Sequence, residues 1–159
     1  MKRPLIITTL LAAICLLFSF TEAHKNYRNN LYAVDSLSGQ RKQLVDSILN
    51  SLPGKANSAA DSVFSNIRTF TGNQRLPVKH LLAVMDYWGE ALGVGCYHCH
   101  AKTSWSSDDL ANKRIARQMY NMRDVINTQI LGKMTDVDPK IARVNCTTCH
   151  NGNTVPLHH

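Results

Sequence analysis

The sequence lacks any convincing run in which apolar and polar residues alternate with period two, the pattern of a half-buried β-strand. It also lacks an obvious set of acid, base and nucleophile, which argues against a hydrolase or a transferase. Acidic residues are few, 11 against 18 lysines and arginines. The length of 159 residues is typical of one domain. These absences favour an all-α protein and argue against the common hydrolytic and group-transfer chemistries.

Cysteine is also scarce, since the chain has five cysteines and four of them lie in two short motifs. The motifs are GVGCYHCHAK at residues 93–102 and NCTTCHNG at residues 145–152. The order Cys, two residues, Cys, His therefore occurs twice. The fifth cysteine, Cys15, lies in the leading segment, so none remains for a separate disulfide framework.

The leading residues 1–23 have the composition of a secretory signal peptide. Lys2 and Arg3 precede an apolar run from Leu5 to Phe20. The run is followed by Thr21-Glu22-Ala23, which fits the small-residue cleavage site of a signal peptide. The run is shorter than the roughly 20 residues that a spanning helix prefers, which favours cleavage over an uncleaved anchor. Its removal leaves 16 basic and 10 acidic residues, a scattered surplus of +6. We therefore expect a protein of the periplasm or cell envelope that binds no nucleic acid.

The exported chain begins with a stretch of helical periodicity. Residues 38–54 end at Pro53-Gly54, a helix stop signal, and small residues follow as a linker. The stripe of this amphipathic helix comprises Leu44, Val45, Ile48, Leu49 and Leu52. We predict an N-terminal helical extension and linker over residues 24–60, and a second domain over residues 61–159.

Two further helices are predicted, each ahead of one cysteine motif. The first has Pro77 at its first helical position and is broken by Gly93 and Gly95. The second starts at Ser106 or Ser107 with Asp108-Asp109 in its first turn, and Gly132 ends it. The stripes are Leu81, Met85, Trp88 and Leu92 in the first, and Ile115, Met119, Met122, Ile126 and Ile130 in the second. Asp138-Pro139 could start a short helix before Cys146.

The two motifs point to covalently attached haem. Four thiolates could hold zinc, and one Cys-x-x-Cys could form a redox couple or a disulfide, but none of these explains the histidine after each second cysteine. Haem attachment explains it, because two thiols three positions apart can add to two vinyl groups while the next histidine binds the iron. We predict one haem c on Cys96, Cys99 and His100, and a second on Cys146, Cys149 and His150. His98 is expected to be solvated.

The fold class then follows as all-α, with short helices packed around two covalently bound c-type haems. About 100 residues of short helices bury limited apolar surface, whereas two porphyrins supply hydrophobic bodies for the stripes to pack on. The sixth iron ligands stay open at this point, with the methionines and remaining histidines as candidates.

Three stretches carry a resemblance to a known family. They are VFSNIRTFTGNQRLPVKHLLAVMDYWGEALGVGCYHCH, NKRIARQMYNMRDVINTQ and VNCTTCHNGNTVPL. Together they resemble the repeating half of the multihaem cytochrome subunit bound to photosynthetic reaction centres of purple bacteria. The resemblance spans roughly Asp61 to Leu157 and leaves residues 24–60 uncovered. Because only one such half is present here, a role in photosynthesis does not follow.

The resemblance implies the sixth ligands. In that family a methionine on the helix before each cysteine motif reaches the iron, which assigns Met85 to the first haem and Met122 to the second. Thioether sulfur is a suitable soft ligand. Met119 is the main competitor for the second iron, and His80, Met134 and His158 are weaker ones. Arg117, Arg123 and Arg143 could pair with haem propionates.

The expected function is that of an exported two-haem cytochrome, not an enzyme, which carries single electrons between redox partner proteins. Association with a membrane electron-transfer complex is a further expectation. The alternative is a peroxidase-like or gas-binding haem protein in which one iron keeps an open position. Carbon monoxide binding distinguishes the two.

Overall fold

The computed structural model describes residues 35–138 and 140–156, together with positions 22, 24, 25, 28 and 29. The chain divides into two compact units, Met1–Ser36 and Leu37–His159. The described positions before residue 30 are helical. The predicted signal peptide, apart from Glu22, lies outside the described residues, as does His158.

The described residues form helices and turns. The helices are α1 (residues 35–50), α2 (Ala60–Val63), α3 (Val78–Leu92), α4 (Ala111–Val125) and α5 (Cys146–His150). No strand occurs among these residues, which contain only two isolated bridges, Ala59 with Pro77 and Ala101 with Ser104. The all-α prediction is confirmed. No helix in the described part of the chain is long and apolar enough to span a bilayer.

The apolar core lies between α1, α2 and α3. Ala60 from α2 and Val78, Leu81 and Leu82 from α3 are buried. Packed against them from the α1 side are Val45, Ile48, Leu49 and Leu52, which belong to the predicted amphipathic stripe. Residues 37–60 of the predicted extension are therefore part of the same compact unit as α3. The domain boundaries drawn at residues 23 and 60 stay predictions.

A buried arginine ties α1 to the C-terminal end of α3. Arg41 is 5% exposed. Its Nε donates to Asp86 Oδ1 at 2.8 Å and its Nη1 to the Val94 carbonyl at 3.2 Å. The arginine stem crosses α3 at Gly89, where an added Cβ would lie 2.6 Å from Arg41 Cδ. Glycine at this position therefore allows the close approach that holds α1 against the segment leading into the first motif.

α3 agrees with its prediction to within one residue. Pro77 is the N-cap rather than the first helical residue, and Gly93 ends the helix in the left-handed conformation with φ of 65°. A side chain at Gly93 would also clash with the carbonyl of Gly152, whose own N–H donates to the Ala91 carbonyl at 2.9 Å. The end of α3 thus holds the chain that follows the second motif.

The predicted start of α4 was wrong. The helix begins at Ala111 with Leu110 as its N-cap, not at Ser106 or Ser107. The Asp108 carboxylate does not lie in the first turn, because it accepts hydrogen bonds from Arg117 Nη1 at 2.9 Å and from Asn66 Nδ2 at 2.9 Å. These tertiary contacts hold residue 108 in the loop before the helix.

Beyond Val125 the helix continues as a π-helical turn, Ile126–Ile130, and a 3₁₀ turn, Leu131–Lys133, which contains the predicted terminator Gly132. The π turn buries Asn127, whose side chain forms two hydrogen bonds of 2.8 Å with the backbone of Val144. The predicted short helix at Asp138 is a turn instead, in which the amides of Ile141 and Ala142 donate to the Asp138 carbonyl. Asn127 therefore anchors the segment that enters the second motif.

Candidate haem-binding sites

The first motif folds as a tight turn at the end of α3. Cys96–His98 form a 3₁₀ turn, and the amides of Cys99 and His100 both donate to the Cys96 carbonyl. Gly93 and Gly95, which precede it, break the helix as the sequence predicts. The turn brings both thiols and the motif histidine to the wall of one cavity.

That cavity has a volume of about 560 Å³ and mostly apolar walls. Cys96, Cys99, His100 and Met85 all line it. Much of its apolar surface comes from α1 and α3, through Val45, Ile48, Leu81, Leu82, Trp88 and Leu92, and the rest includes Val63, Phe64, Ile67 and Ala116. The structure therefore brings together all four residues predicted for the first haem. His80, a weaker candidate for an axial ligand, is exposed and does not line this cavity.

His100 is oriented by a backbone carbonyl. Its Nδ1 lies 2.9 Å from the carbonyl oxygen of Trp105, and its ring packs 5.1 Å from the Trp105 ring. With the proton on Nδ1 donated to this carbonyl, the Nε2 lone pair is left for a metal. Burial lowers the pKa of His100, which favours the neutral form that binds metals.

Three of the four motif cysteines, Cys96, Cys99 and Cys146, are partly buried. Burial raises the pKa of Cys96, Cys99 and Cys146. A reactive redox dithiol needs the opposite shift, because the thiolate is the nucleophile. All four motif cysteines are free. Within the described ranges, no three or more His, Cys, Asp or Glu side chains converge on a point that could hold a metal ion.

The second motif forms α5 and repeats the histidine geometry. Asn145 caps the helix, and its side chain accepts a hydrogen bond from the Thr148 amide at 3.0 Å. His150 Nδ1 lies 2.9 Å from the Asn153 carbonyl oxygen. Tyr87 on α3 forms a hydrogen bond of 3.0 Å with Thr147. α5 is thus fixed against α3, and its histidine also keeps Nε2 for a metal.

The surroundings of the second motif are more open. Cys146 is half-buried and Cys149 is exposed. On α4, Met122 is 49% exposed and Met119 is 43% exposed. The same exposed apolar set includes Ile115, Val125, Ile130 and Met134. Within the described residues, four of the five side chains of the predicted stripe are therefore about half-exposed, and exposure does not distinguish Met122 from Met119.

The residues present fit a haem c at each motif. A haem c needs two thiols for its vinyl groups, an imidazole nitrogen for its iron and apolar surface for its faces. The first motif offers all of these on one cavity, together with the Met85 thioether. The second offers two thiols, an imidazole oriented by Asn153, and exposed apolar side chains on α4.

Several contributors to the first site carry no clear signal in the sequence. Lys113, Arg117 and Asn66 line the cavity and surround the Asp108 carboxylate. Arg117, a predicted propionate partner, makes two hydrogen bonds of 2.9 Å to this carboxylate. Arg123, another such candidate, lies over the Tyr120 ring at 4.5 Å. The adjacent acids Asp108-Asp109 resemble a helix start, and nothing local identifies the distant partners of Asp108.

A family model described as the photosynthetic reaction centre cytochrome C subunit matches residues 26–159. The match includes most of the segment that the sequence resemblance left uncovered. The photosynthetic reaction center cytochrome c subunit of Rubrivivax gelatinosus is 27% identical over 158 residues, 87% of this chain and 43% of that relative. The subunit of Thermochromatium tepidum is 34% identical over 62 residues, 39% of this chain and 14% of the relative.

Cytochrome c-554 of Chloroflexus aurantiacus is 32% identical over 68 residues, 43% of this chain and 16% of that protein. The chain thus spans less than half the length of the curated relatives it matches. The family match nevertheless covers both cysteine motifs and the helices that precede them. The chain belongs to the photosynthetic reaction centre cytochrome c subunit family.

Proposed function

We propose that the chain carries two haem c groups and passes single electrons between redox partners of the cell envelope. Membership of a c-type cytochrome family implies covalently bound haem c. The number of haems and their ligands are our proposal. The first is assigned to Cys96, Cys99, His100 and Met85. The second is assigned to Cys146, Cys149, His150 and Met122.

One observation supports this proposal above the others: both thiols, the motif histidine and Met85 line a single apolar cavity. Met85 lies on α3, more than ten residues before the motif, so no local constraint requires it to be there. The repeated hydrogen bond from each motif histidine to a backbone carbonyl is a second support, since it leaves Nε2 available in both motifs.

A bound haem c would supply an iron that alternates between ferric and ferrous states. The residues of the chain hold it and adjust its potential. The two thioether bonds fix its orientation, and the carbonyls of Trp105 and Asn153 hold the imidazole rings in place. The apolar walls from α1 and α3 keep water away from the first site, and Met85 offers a neutral sulfur ligand that favours a higher potential than a second histidine would.

The second haem is proposed to cover the exposed stripe of α4. Met122 and Met119 lie on that stripe beside Ile115, and a porphyrin face would remove these side chains from water. The two hydrogen bonds between Asn127, in the turn that continues α4, and Val144 hold the end of α4 beside the segment that enters the second motif. The family resemblance favours Met122 over Met119.

The partners are proposed from the relatives. The relatives from Rubrivivax gelatinosus and Thermochromatium tepidum are named as subunits of photosynthetic reaction centres. We propose only that this chain also exchanges electrons with other proteins, of which a membrane electron-transfer complex is one candidate. We further propose export through residues 1–23 to the periplasm or cell envelope. The surplus of basic residues suits partners with acidic surfaces.

Mass spectrometry of protein matured in a cytochrome c-producing host tests the proposal. The exported chain should exceed its peptide mass by two haems, and digestion should find one on each cysteine motif. The haem should survive extraction with acidified acetone because it is covalently bound. Recovery of fully matured protein with one haem or none would contradict the two-haem assignment.

A second candidate function follows from the openness of the second site. Because Met122 and Met119 are both about half-exposed, an iron held by His150 could keep its sixth position free for a small ligand. The protein would then be a gas-binding or peroxidase-like protein. Carbon monoxide should bind the reduced wild-type protein in that case, and it should leave the spectrum unchanged if both irons have six ligands.

A further inference from the structure

The carbonyl oxygen that orients His100 accepts a second hydrogen bond. Lys113 Nζ donates to the Trp105 carbonyl at 2.9 Å, the same distance as that from His100 Nδ1. Lys113 is on α4, eight residues beyond Trp105, and its side chain is only 11% exposed. Nζ also donates to the Ser107 carbonyl at 2.8 Å. A buried ammonium group is therefore fixed one hydrogen bond away from the proposed iron ligand.

The charge of this ammonium group is not fully cancelled by its neighbours. The nearest carboxylate is Asp108, with Oδ1 at 3.5 Å from Lys113 Nζ. That carboxylate is shared with Arg117, at 2.9 Å, and with Arg68, at 3.9 Å. Three cations thus surround one acid, and the group as a whole is positive.

The second motif has no equivalent hydrogen bond from a cation among the described residues. The Asn153 carbonyl accepts from His150 Nδ1 at 2.9 Å, and the Asn153 side chain donates to the Asn151 carbonyl. No lysine or arginine side chain within the described ranges donates to the Asn153 carbonyl. The two histidines therefore share a hydrogen-bond geometry and differ in the charge placed on the acceptor.

This difference affects the iron through the histidine. A carbonyl that accepts a proton from Nδ1 makes the imidazole a stronger donor, which stabilises the ferric state. A cation bound to the same oxygen draws electron density from it and weakens that effect. The positive charge also disfavours the ferric state directly, because that state carries one more positive charge than the ferrous one. Both effects favour ferrous iron.

We propose that Lys113 is a positioning residue that acts through the Trp105 carbonyl and His100 to raise the potential of the first haem above that of the second. An electron shared by the two haems then resides mainly on the first, in the apolar cavity. The inference rests on the proposed function, since it requires a haem at the first motif with His100 as its ligand.

Potentiometric titration of the mature two-haem protein tests this inference. In Lys113→Gln, which keeps a donor but removes the charge, the ferrous-to-ferric ratio of the higher-potential haem at a fixed applied potential should fall about tenfold or more, as expected for one charge roughly 10 Å from the iron at an effective dielectric constant near 20. The lower-potential haem should shift much less. Lys113→Arg should keep the wild-type ratio. The matched control is Lys79→Gln, which removes an exposed lysine on α3 and should change neither haem.

A substitution that should change the ferrous-to-ferric ratio in the opposite direction controls for a purely structural effect. Asp108→Asn removes the negative charge beside Lys113 and should raise the ferrous-to-ferric ratio of the same haem. A fall in both Lys113→Gln and Asp108→Asn would indicate loss of local structure and overturn the inference. It would also be overturned if Lys113→Gln left both haems unchanged, or moved only the lower-potential one. The near-infrared methionine band should stay intact in every variant that keeps its axial ligands.

Failure of the proposed function gives a different result. Peptide mass spectrometry that found no haem on Cys96 and Cys99 of the wild-type protein would remove the haem itself, and the inference about Lys113 would fall with it. If the haem is found there and the titrations show no effect of residue 113, only the inference fails.

Discussion

The two Cys-x-x-Cys-His motifs have the same local geometry in different surroundings. Each histidine has Nδ1 at 2.9 Å from a backbone carbonyl, five residues later in the first motif and three residues later in the second. The first motif borders a cavity walled by α1 and α3, whereas the second forms a short helix with an exposed cysteine. The comparison teaches that a short motif can orient its histidine, while burial and charge depend on distant parts of the chain.

The largest expected effect is the loss of one haem. The fall in thermal midpoint that accompanies it should differ between the two motifs. Replacing Cys96 and Cys99 by alanine removes the body that fills the cavity between α1 and α3, so the thermal midpoint should fall by about 10 °C or more, corresponding to roughly 3 kcal/mol. Replacing Cys146 and Cys149 should also remove one haem but lower the midpoint less. Intact mass measures the number of haems, and circular dichroism melting measures the thermal midpoint. Equal midpoints in the two double variants, or a lower midpoint when Cys146 and Cys149 are replaced, would contradict the predicted difference between the sites.

The methionine ligands should contribute equally to the spectrum. Met85→Ala and Met122→Ala should each weaken the near-infrared sulfur-to-iron charge-transfer band by about half and lower the potential of one haem, because a neutral soft ligand is lost. Met119→Ala and Met134→Ala are the matched controls and should leave the band intact. If Met119→Ala weakens the band and Met122→Ala does not, the second ligand lies one helical turn earlier.

Arg41, which ties α1 to the segment that enters the first motif, should contribute to the stability of the fold. Arg41→Ala breaks the ion pair with Asp86 and the bond to the Val94 carbonyl, and should lower the free energy of unfolding by about 1–2 kcal/mol, since Asp86 is 41% exposed and partly solvated. The exposed neighbour Lys42→Ala is the control and should stay within about 0.5 kcal/mol of the wild type. Chemical denaturation measures the free energy of unfolding of each variant. Equal values for Arg41→Ala and Lys42→Ala would contradict the prediction.

The smallest effect should appear in acid. The pKa of the Asp108 carboxylate is lowered from its ordinary value of 3.8 to about 2, mainly by hydrogen bonds from Arg117. Because the folded pKa lies below the ordinary value, this carboxylate stabilises the fold above about pH 4, and the contribution is lost as the pH falls towards 2. Asp108→Asn should flatten the pH dependence of the thermal midpoint in that range. The exposed Asp109→Asn should keep the wild-type slope, and a slope unchanged in Asp108→Asn would refute the assignment.

The parts of the fold that depend on residues close together in the sequence were predictable. The apolar stripes indicated α1 and α3, and the glycine at residue 93 ended α3 where the sequence predicts. The all-α class followed from periodicity, and the family from the resemblance carried by three stretches of the sequence, which the family match confirms. These features are local, because helix periodicity, capping and motif spacing involve residues within a few positions of one another.

The start of α4 was predicted wrongly for a tertiary reason. Asp108 satisfies the local rule for a helix N-terminus, yet its carboxylate is bound by Asn66, 42 residues earlier, and by Arg117. The turn at Asp138 and the burial of Asn127 against Val144 likewise depend on contacts between separate segments. Local propensity alone carries no information about such partners.

The sequence by itself determined which residues could carry the chemistry: two pairs of thiols, each followed by a histidine, and three methionines on the two apolar stripes. Only the tertiary structure decided that Met85 shares a cavity with the first motif, and that the second stripe is left open. It also decided that Lys113 and His100 meet at the Trp105 carbonyl. The physical reason is that motif spacing is fixed by covalent geometry, whereas burial and charge at a site are set by side chains that only the folded path of the chain brings together.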